Sequence, residues 1–376
     1  MPIRIAPTLA QMATYPYLHL EEARRRLVAK GVDVIDFGKG DPNEPTDPMI
    51  RSALIEAVPE RAPYPLAAGL PELREAAARW CESRFGVTVD PAHEIVPTYG
   101  SKEAIFSLAQ VLVDPHSEKN VVAFGEPAYP VYERGALFAG ARVRTLPLVR
   151  ENDFLPELDS LDDDIAIVWV NYPHNPTGAV ATPAFYEELA ERAERHDFVI
   201  ASDEAYTELW FDEPPVSALQ VADRSRVIVF QTLSKRSSMT GYRSGFVAAP
   251  PEVIAALKAY RPVVGTAPQE FVQRASVVAW NDERHVEETR ARYTAKRKAL
   301  MPAIAARGWE IVASEATMYL WVAVADADAV VNRLLERGIL VLPGSFFGPS
   351  GEGYVRFALV PTLDECKRAA TILAEL

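Results

Sequence analysis

The sequence predicts an α/β fold built on a largely parallel sheet, and three observations predict it. From about residue 95 onward, short β-branched runs alternate with longer amphipathic stretches. No internal repeat, heptad run or low-complexity tract interrupts them, and the 30 prolines are scattered through loops. The 376 residues, 49% hydrophobic and 24% charged, have the composition of a folded globular chain longer than one average domain.

Taken in order, the expected strands are Asn120–Phe124, Arg142–Leu146, Ile165–Val170, Phe198–Ser202, Val227–Gln231 and Gly245–Ala248. Helical patterns such as Ser101–Leu112, Pro183–Arg195 and Glu252–Tyr260 lie between them. A charged stretch, Asp282–Ala306, then leads to a second set of β and α patterns at Glu310–Val324, Ala327–Arg337 and Gly353–Leu359. That change suggests a smaller C-terminal domain beginning near residue 280.

Composition also excludes several roles. The 39 Lys+Arg against 52 Asp+Glu give a net charge of −13, unsuited to tracking phosphates of nucleic acid or an anionic membrane. Any anionic ligand must meet a few placed cations. Cys81 and Cys366 form neither a disulfide framework nor a CxxC metal site, so no metal is expected and a reducing cytoplasm is the simplest home. The N-terminal residues lack the apolar core and cleavage site of a secretory signal, and no apolar run is long enough to span a bilayer.

Ligands of open parallel sheets sit beyond the carboxyl ends of the strands. Four such places carry unusual polar groups: Asn171–Gly178 after IVWV, Asp203–Tyr206 after FVIAS, Thr232–Lys235 after VIVFQ, and Tyr99–Glu103 after EIVPT. Lys235 alone reads as a solvated loop lysine. Its neighbours change that reading, because Thr232 and Ser234 offer hydroxyls and Arg243 follows eight residues on, the makings of a phosphate site. Gly100, Ser101 and Lys102 open a helix whose N–H groups suit an anion, although Gly-Ser before a helix is often only a cap. Asp203 is a helix cap, a member of an ion pair, or the acidic partner of a pyridine nitrogen. Tyr206 is a core tyrosine or a hydrogen-bond donor on the same side, and Asn175 shapes its Pro-rich turn or bonds a phenolic oxygen.

Together these blocks resemble the fold-type I pyridoxal-phosphate (PLP) enzymes, and within them the class I/II aminotransferases. The likeness is carried by Asn175–Gly178, Asp203–Tyr206, Ser234-Lys235 with Gly241–Gly245, and Tyr354–Phe357. It implies a large domain with a mostly parallel seven-stranded sheet, over residues 45–280. A smaller α+β domain would comprise residues 1–44 and 281–376. Lys235 is similar to the Schiff-base lysine, which also moves the Cα proton of the incoming amino acid. Asp203 resembles the partner of the ring nitrogen, and Tyr206 and Asn175 the donors to its phenolic oxygen. The resemblance assigns the phosphate to Gly100, Ser101, Lys102, Thr232, Ser234 and Arg243, and the ring face to Tyr129. Tyr64 resembles the tyrosine that reaches the phosphate of a neighbouring subunit, which implies a homodimer with shared active sites. Arg356 takes the place of the arginine that binds the substrate α-carboxylate, with Gly40 in a loop over the substrate. Gly40, Asn175, Arg356 and Lys39 are thus the candidate contacts for small amino and keto acids.

For the donor, the run Gln231–Phe246 resembles the N-succinyl-diaminopimelate branch of lysine biosynthesis, exchanging with 2-oxoglutarate and glutamate. A donor with several carboxylates needs further cations, for which Lys39 and Arg236 are candidates nearby in sequence; either reads equally as a solvated surface charge, and for Arg236 that is the preferred reading. An aspartate, aromatic or other amino-acid aminotransferase shares the same core. A non-catalytic PLP-binding regulator is the remote alternative, since no basic patch marks a DNA-binding module.

Overall fold

The structure, a computed structural model, describes residues 3–11 and 17–376. After a short strand β1 (Ile35–Asp36), seven strands form the larger sheet: β2 (Ile95–Thr98), β3 (Val121–Glu126), β4 (Arg142–Pro147), β5 (Ile165–Val170), β6 (Val199–Asp203), β7 (Val227–Thr232) and β8 (Gly245–Ala248). Their spatial order is β2-β8-β7-β6-β5-β3-β4, with β8 antiparallel to both neighbours and the other pairs parallel. This is the mostly parallel seven-stranded sheet that the resemblance implies.

Side chains leave successive positions of a strand on opposite faces. In β7, Val227 and Val229 enter one buried cluster while Ile228 and Phe230 enter the other, and Val121 and Ala123 of β3 are divided in the same way from Val122 and Phe124. Helices Pro71–Phe85 and Pro183–His196 cover the first face, and Ser101–Leu112 and Val131–Phe138 cover the second. The central strands β5, β6 and β7 are buried on both faces, which is why they read as nearly continuous apolar runs, whereas the edge strand β4 stays largely exposed. Local signals place the helix ends. Thr182 caps Phe185 with Pro183 at the first position, and Asp197 closes that helix in the left-handed region at φ 56°. Strand β6 ends one residue later than its sequence suggests, because Asp203 pairs with Phe230 of β7.

Strands β9 (Glu310–Val312), β10 (Tyr319–Ala323), β11 (Ile339–Leu340), β12 (Leu342–Pro343) and β13 (Tyr354–Ala358) follow. They give a four-stranded antiparallel sheet, β12-β13-β10-β9, and a parallel pairing of β11 with β1. The charged stretch near residue 282 is one helix, Arg284–Ala306, packed on the C-terminal helix Leu363–Ala374. Phe37, just beyond β1, packs edge-on against Phe357 at 5.8 Å, and its carbonyl accepts the Ala358 N–H at 2.8 Å. The segment after β1 is thereby laid beside β13.

Arg236 corrects the sequence reading, being neither a ligand of the main cavity nor a solvated charge. It is 2% exposed, donates to the Ala279 carbonyl at 2.7 Å, pairs with Glu283, and lies 4.9 Å from the Trp280 ring. The apolar pocket formed by Trp80 and Trp280 captures a planar cation that can stack. Arg236→Ala is expected to cost about 2 kcal/mol of stability, by stranding a buried carbonyl and emptying that pocket. Chemical denaturation measures it, and an unshifted midpoint would contradict the assignment.

Candidate active site

A cavity of about 590 Å³ opens at the carboxyl ends of β5, β6 and β7, where the parallel strands leave the sheet. Five cationic side chains, Lys39, Lys102, Lys235, Arg243 and Arg356, line it against two carboxylates, Asp41 and Asp203. In a chain of net charge −13, that is a local reversal of sign.

Lys235 lies on a single helical turn, Leu233–Arg236, which starts where β7 ends. Thr232 Oγ1 caps that turn by accepting the Ser234 N–H at 3.2 Å, and it lies 2.9 Å from Ser234 Oγ. The Lys235 amine donates to the Gly40 carbonyl. Burial lowers its pKa to about 8; Asp41 opposes the shift, while Arg356, Arg243 and Lys102 add to it. A lysine so placed carries a substantial neutral fraction near physiological pH.

Arg243 and the first turn of helix Ser101–Leu112 face each other at one end of the cavity. Gly100, at φ 69°, precedes the helix, and a Cβ on it would collide with the Arg243 guanidinium. The glycine lets cation and helix N-terminus converge, with Ser101, Thr232 and Ser234 also lining the wall. Arg243 is itself fixed by bonds to Thr240 O at 2.8 Å and Tyr99 O at 3.3 Å. Lys102 lies 5.7 Å from the Tyr129 ring, and burial and Arg243 lower its pKa. This end is a cradle for a dianion.

Asp203, 4% exposed, stands at the other end. A turn follows it, so the helix-cap alternative falls away. Burial raises its carboxyl to about 6, against bonds from the Tyr132 hydroxyl at 2.8 Å and the Ala205 N–H at 3.3 Å and the nearby charge of Lys235. Tyr132 is stacked on Trp169 at 4.9 Å, which fixes the hydroxyl's direction.

A third group forms the wall toward β13. Arg356, 4% exposed, donates to Asn175 Oδ1 at 3.0 Å and Gly38 O at 2.7 Å, between the rings of Tyr319 and Phe347. Asn171 holds the Asn175 turn by accepting the Asn175 N–H at 3.0 Å while donating to Asp203 O at 2.6 Å. The hydroxyls of Tyr206 and Tyr319 are 2.8 Å apart.

The sequence-predicted residues thus meet in or beside one cavity, with two exceptions, Arg236 and Tyr64. Tyr64 is fully exposed and lies outside it. Sequence reasoning missed Tyr132, Asn171, Tyr319 and Asp41. Tyr132 had a signal in its nearness to Tyr129, which stands just before the helix Val131–Phe138 with its ring 5.8 Å from that of Tyr132; Tyr319 had none, being one apolar-flanked residue of β10. An anion cradle, an aromatic side chain in Tyr129, a buried acid and a lysine of lowered pKa fit a phosphorylated pyridine aldehyde.

A family model described as "Aminotransferase class I and II" matches residues 32–373. The chain is 40% identical to the LL-diaminopimelate aminotransferase of Aquifex aeolicus, over 94% of each chain. Among solved structures, an aminotransferase from Neisseria meningitidis is 34% identical over 99% of both chains, with a TM-score of 0.91. A Thermus thermophilus protein titled probable N-succinyldiaminopimelate aminotransferase is 32% identical, covering 96% of this chain and 99% of its own, with a TM-score of 0.88.

Two outcomes are expected of the site. Capture of added cofactor by cofactor-free protein speeds up as pH rises through about 8 and then levels off, because only the neutral Lys235 amine attacks a carbonyl. Stopped-flow absorbance follows it, and a rate still climbing tenfold per unit above about pH 9 would indicate an ordinary lysine. Tyr132→Phe removes a bond to the charged form of Asp203 and so raises its pKa further. The acidic limb of the pH–activity profile should move to higher pH with about a tenfold loss of kcat, whereas a purely structural tyrosine would leave the limb in place.

Proposed function

The chain belongs to the class I and II aminotransferase family, and within it we propose that it moves the amino group of LL-diaminopimelate to 2-oxoglutarate. The family's cofactor is pyridoxal phosphate; when bound, it supplies the electron sink that makes a Cα proton acidic. The observation that carries the reading is the meeting of Lys235, Asp203 and Arg356 in one cavity.

Each of this chain's residues then has a task. Arg243 and the N-terminus of Ser101–Leu112, with Thr232 and Ser234, hold the phosphate. Tyr129 would pack against the ring, Asp203 would keep the ring nitrogen protonated, and Tyr206 and Asn175, which line the same cavity, would donate to the phenolic oxygen. A cation against Asp203 offsets the burial that raises its pKa, so each charge favours the other. Arg356 grips the α-carboxylate with its planar fork and exchanges the Gly38 carbonyl for it. That grip would aim the donor's Cα–H at Lys235, whose neutral amine would take the proton and carry it. Asn175 serves twice, since its Oδ1 orients Arg356.

Tyr64 belongs to the same proposal. Its full exposure in a single chain supports a place at the phosphate of a second copy, in a homodimer with shared sites. The division into domains at residues 45 and 280 is proposed alongside it, supported by the separate buried cores of the two sheets.

LL-diaminopimelate is preferred as donor because the Aquifex aeolicus enzyme of that name matches 94% of the chain. The N-succinyl derivative is a second reading, favoured by the Gln231–Phe246 run and by the Thermus thermophilus likeness. A half-reaction assay decides between them: cofactor-loaded enzyme is mixed with each donor, and bleaching of the cofactor's visible band is timed. LL-diaminopimelate should bleach at least about tenfold faster than the succinylated compound, aspartate or phenylalanine. Faster bleaching by the succinylated donor would reverse the choice. Lys235→Ala should abolish turnover with every donor, and unchanged turnover there would sink the reading entirely.

A further inference from the structure

Most charged groups lining the cavity have a task. Lys102 and Arg243 stand at the phosphate end, Asp203 and Lys235 at the ring, and Arg356 at the α-carboxylate. Lys39 and Asp41 remain, and among the described lining residues they are the remaining cation and the remaining carboxylate. They are opposite in sign, both exposed, and separated only by Gly40.

Gly40 explains why this segment is held so close to the reacting groups. Its carbonyl accepts from Lys235, and a Cβ in its place would lie 2.6 Å from the Tyr319 hydroxyl oxygen. The segment is also tied on both sides. The Phe37 carbonyl accepts the Ala358 N–H at 2.8 Å and Glu44 pairs with the buried Lys296 ammonium at 2.7 Å, two ties that donor binding does not use. The backbone that presents residues 39 and 41 is therefore fixed, while their side chains stay long and solvated. Lys39 now pairs with Asp36 at 3.5 Å with half of its side chain exposed, an ion pair weak enough to exchange for another carboxylate.

We propose that Lys39 and Asp41 are specificity-determining residues that read the distal amino-acid head of the donor, Lys39 taking its carboxylate and Asp41 its ammonium. This rests on the donor reading given above. A donor with an amino-acid head at each end presents, beyond its methylene chain, one ammonium and one carboxylate. The Lys39/Asp41 pair complements that zwitterion completely, whereas a distal ammonium alone or carboxylate alone matches half of it. A succinylated head carries two carboxylates and no ammonium, so Asp41 would repel it. Leu342 and Phe346, also in the wall, offer apolar surface to the methylenes. The pull that Asp41 exerts on the Lys235 ammonium indicates that its charge is felt inside the cavity.

The experiment pairs deletions in the protein with deletions in the donor, on cofactor-loaded enzyme. LL-diaminopimelate carries both distal groups, 2-aminopimelate only the carboxylate, L-lysine only the ammonium, and norleucine neither. Each kcat/KM is taken as a ratio to that for norleucine. Lys39→Met should lower the ratios for LL-diaminopimelate and 2-aminopimelate by about tenfold and leave the lysine ratio in place. Asp41→Asn should lower those for LL-diaminopimelate and lysine by a similar factor and leave the 2-aminopimelate ratio in place. Ratios that keep their wild-type values in both variants, or that fall alike for all three donors, overturn the assignment of Lys39 and Asp41. A wild-type enzyme that uses norleucine as readily as LL-diaminopimelate overturns the donor reading itself, and the two failures are told apart by the wild-type ratios alone.

Discussion

Taking Lys235 and Asp203 out of water is the constraint on which the rest of the site depends. Burial drives both toward their neutral forms, the lysine to about 8 and the aspartate to about 6. For the lysine that shift is useful, because a neutral amine attacks carbonyls and takes protons. For the aspartate it works against the proposed role, because a neutral carboxyl would not hold a protonated ring nitrogen. The surroundings treat the two accordingly. Three further cations, Arg356, Arg243 and Lys102, press on Lys235, whereas Asp203 receives the Tyr132 hydroxyl and the Ala205 N–H.

Holding such groups in place takes connections between the two sheets. Lys235 belongs to the end of β7 and Arg356 to β13, and the segment following β1 touches both through the Gly40 and Gly38 carbonyls. That segment is aligned by Phe37, which bonds Ala358 and packs on Phe357. On the far side of the Lys235 turn, Arg236 reaches Glu283 at the start of the long helix, and His285 Nε2 lies 2.8 Å from Ser237 Oγ. The residues on either side of the reactive lysine thus face different parts of the molecule, and the lysine is anchored between them.

Much of this was legible in the sequence, and the reason is geometric. Parallel strands buried on both faces are written as unbroken apolar runs, and the polar residue ending each run is delivered to the same edge of the sheet. Asn175, Asp203 and Lys235 follow three such runs and meet in one cavity. What stayed hidden depends on packing between distant segments. Arg236 reads as a surface charge until Trp80 and Trp280 close around it, and Tyr319 lies within a β-strand like any core tyrosine until its hydroxyl is found 2.8 Å from that of Tyr206. Strands β11 and β12, two residues each, are too short to carry a period. Tyr64, whose ring is fully exposed, has no role that packing within the described residues supplies.

The neighbouring carboxylates Asp203 and Glu204 show how partners divide the work of two similar groups. Both are buried, and burial raises both, Glu204 to about 7. Glu204 accepts from Ser202 Oγ, Ser217 Oγ, the Ala218 N–H and Gln231 Nε2, all at 2.9–3.0 Å, so its oxygens are consumed in tying the β6 end to the Ser217 turn and to β7. The Asp203 carboxylate accepts only from Tyr132 and Ala205 among the described residues, which leaves lone pairs for a ligand in the cavity it lines. Glu204 can therefore fix the position of β6 without competing for the ligand, and Asp203 can meet a cation because its neighbour bears the structural load. Exchanging the two side chains would preserve charge and composition while losing both functions, since each depends on which face of the strand end it occupies.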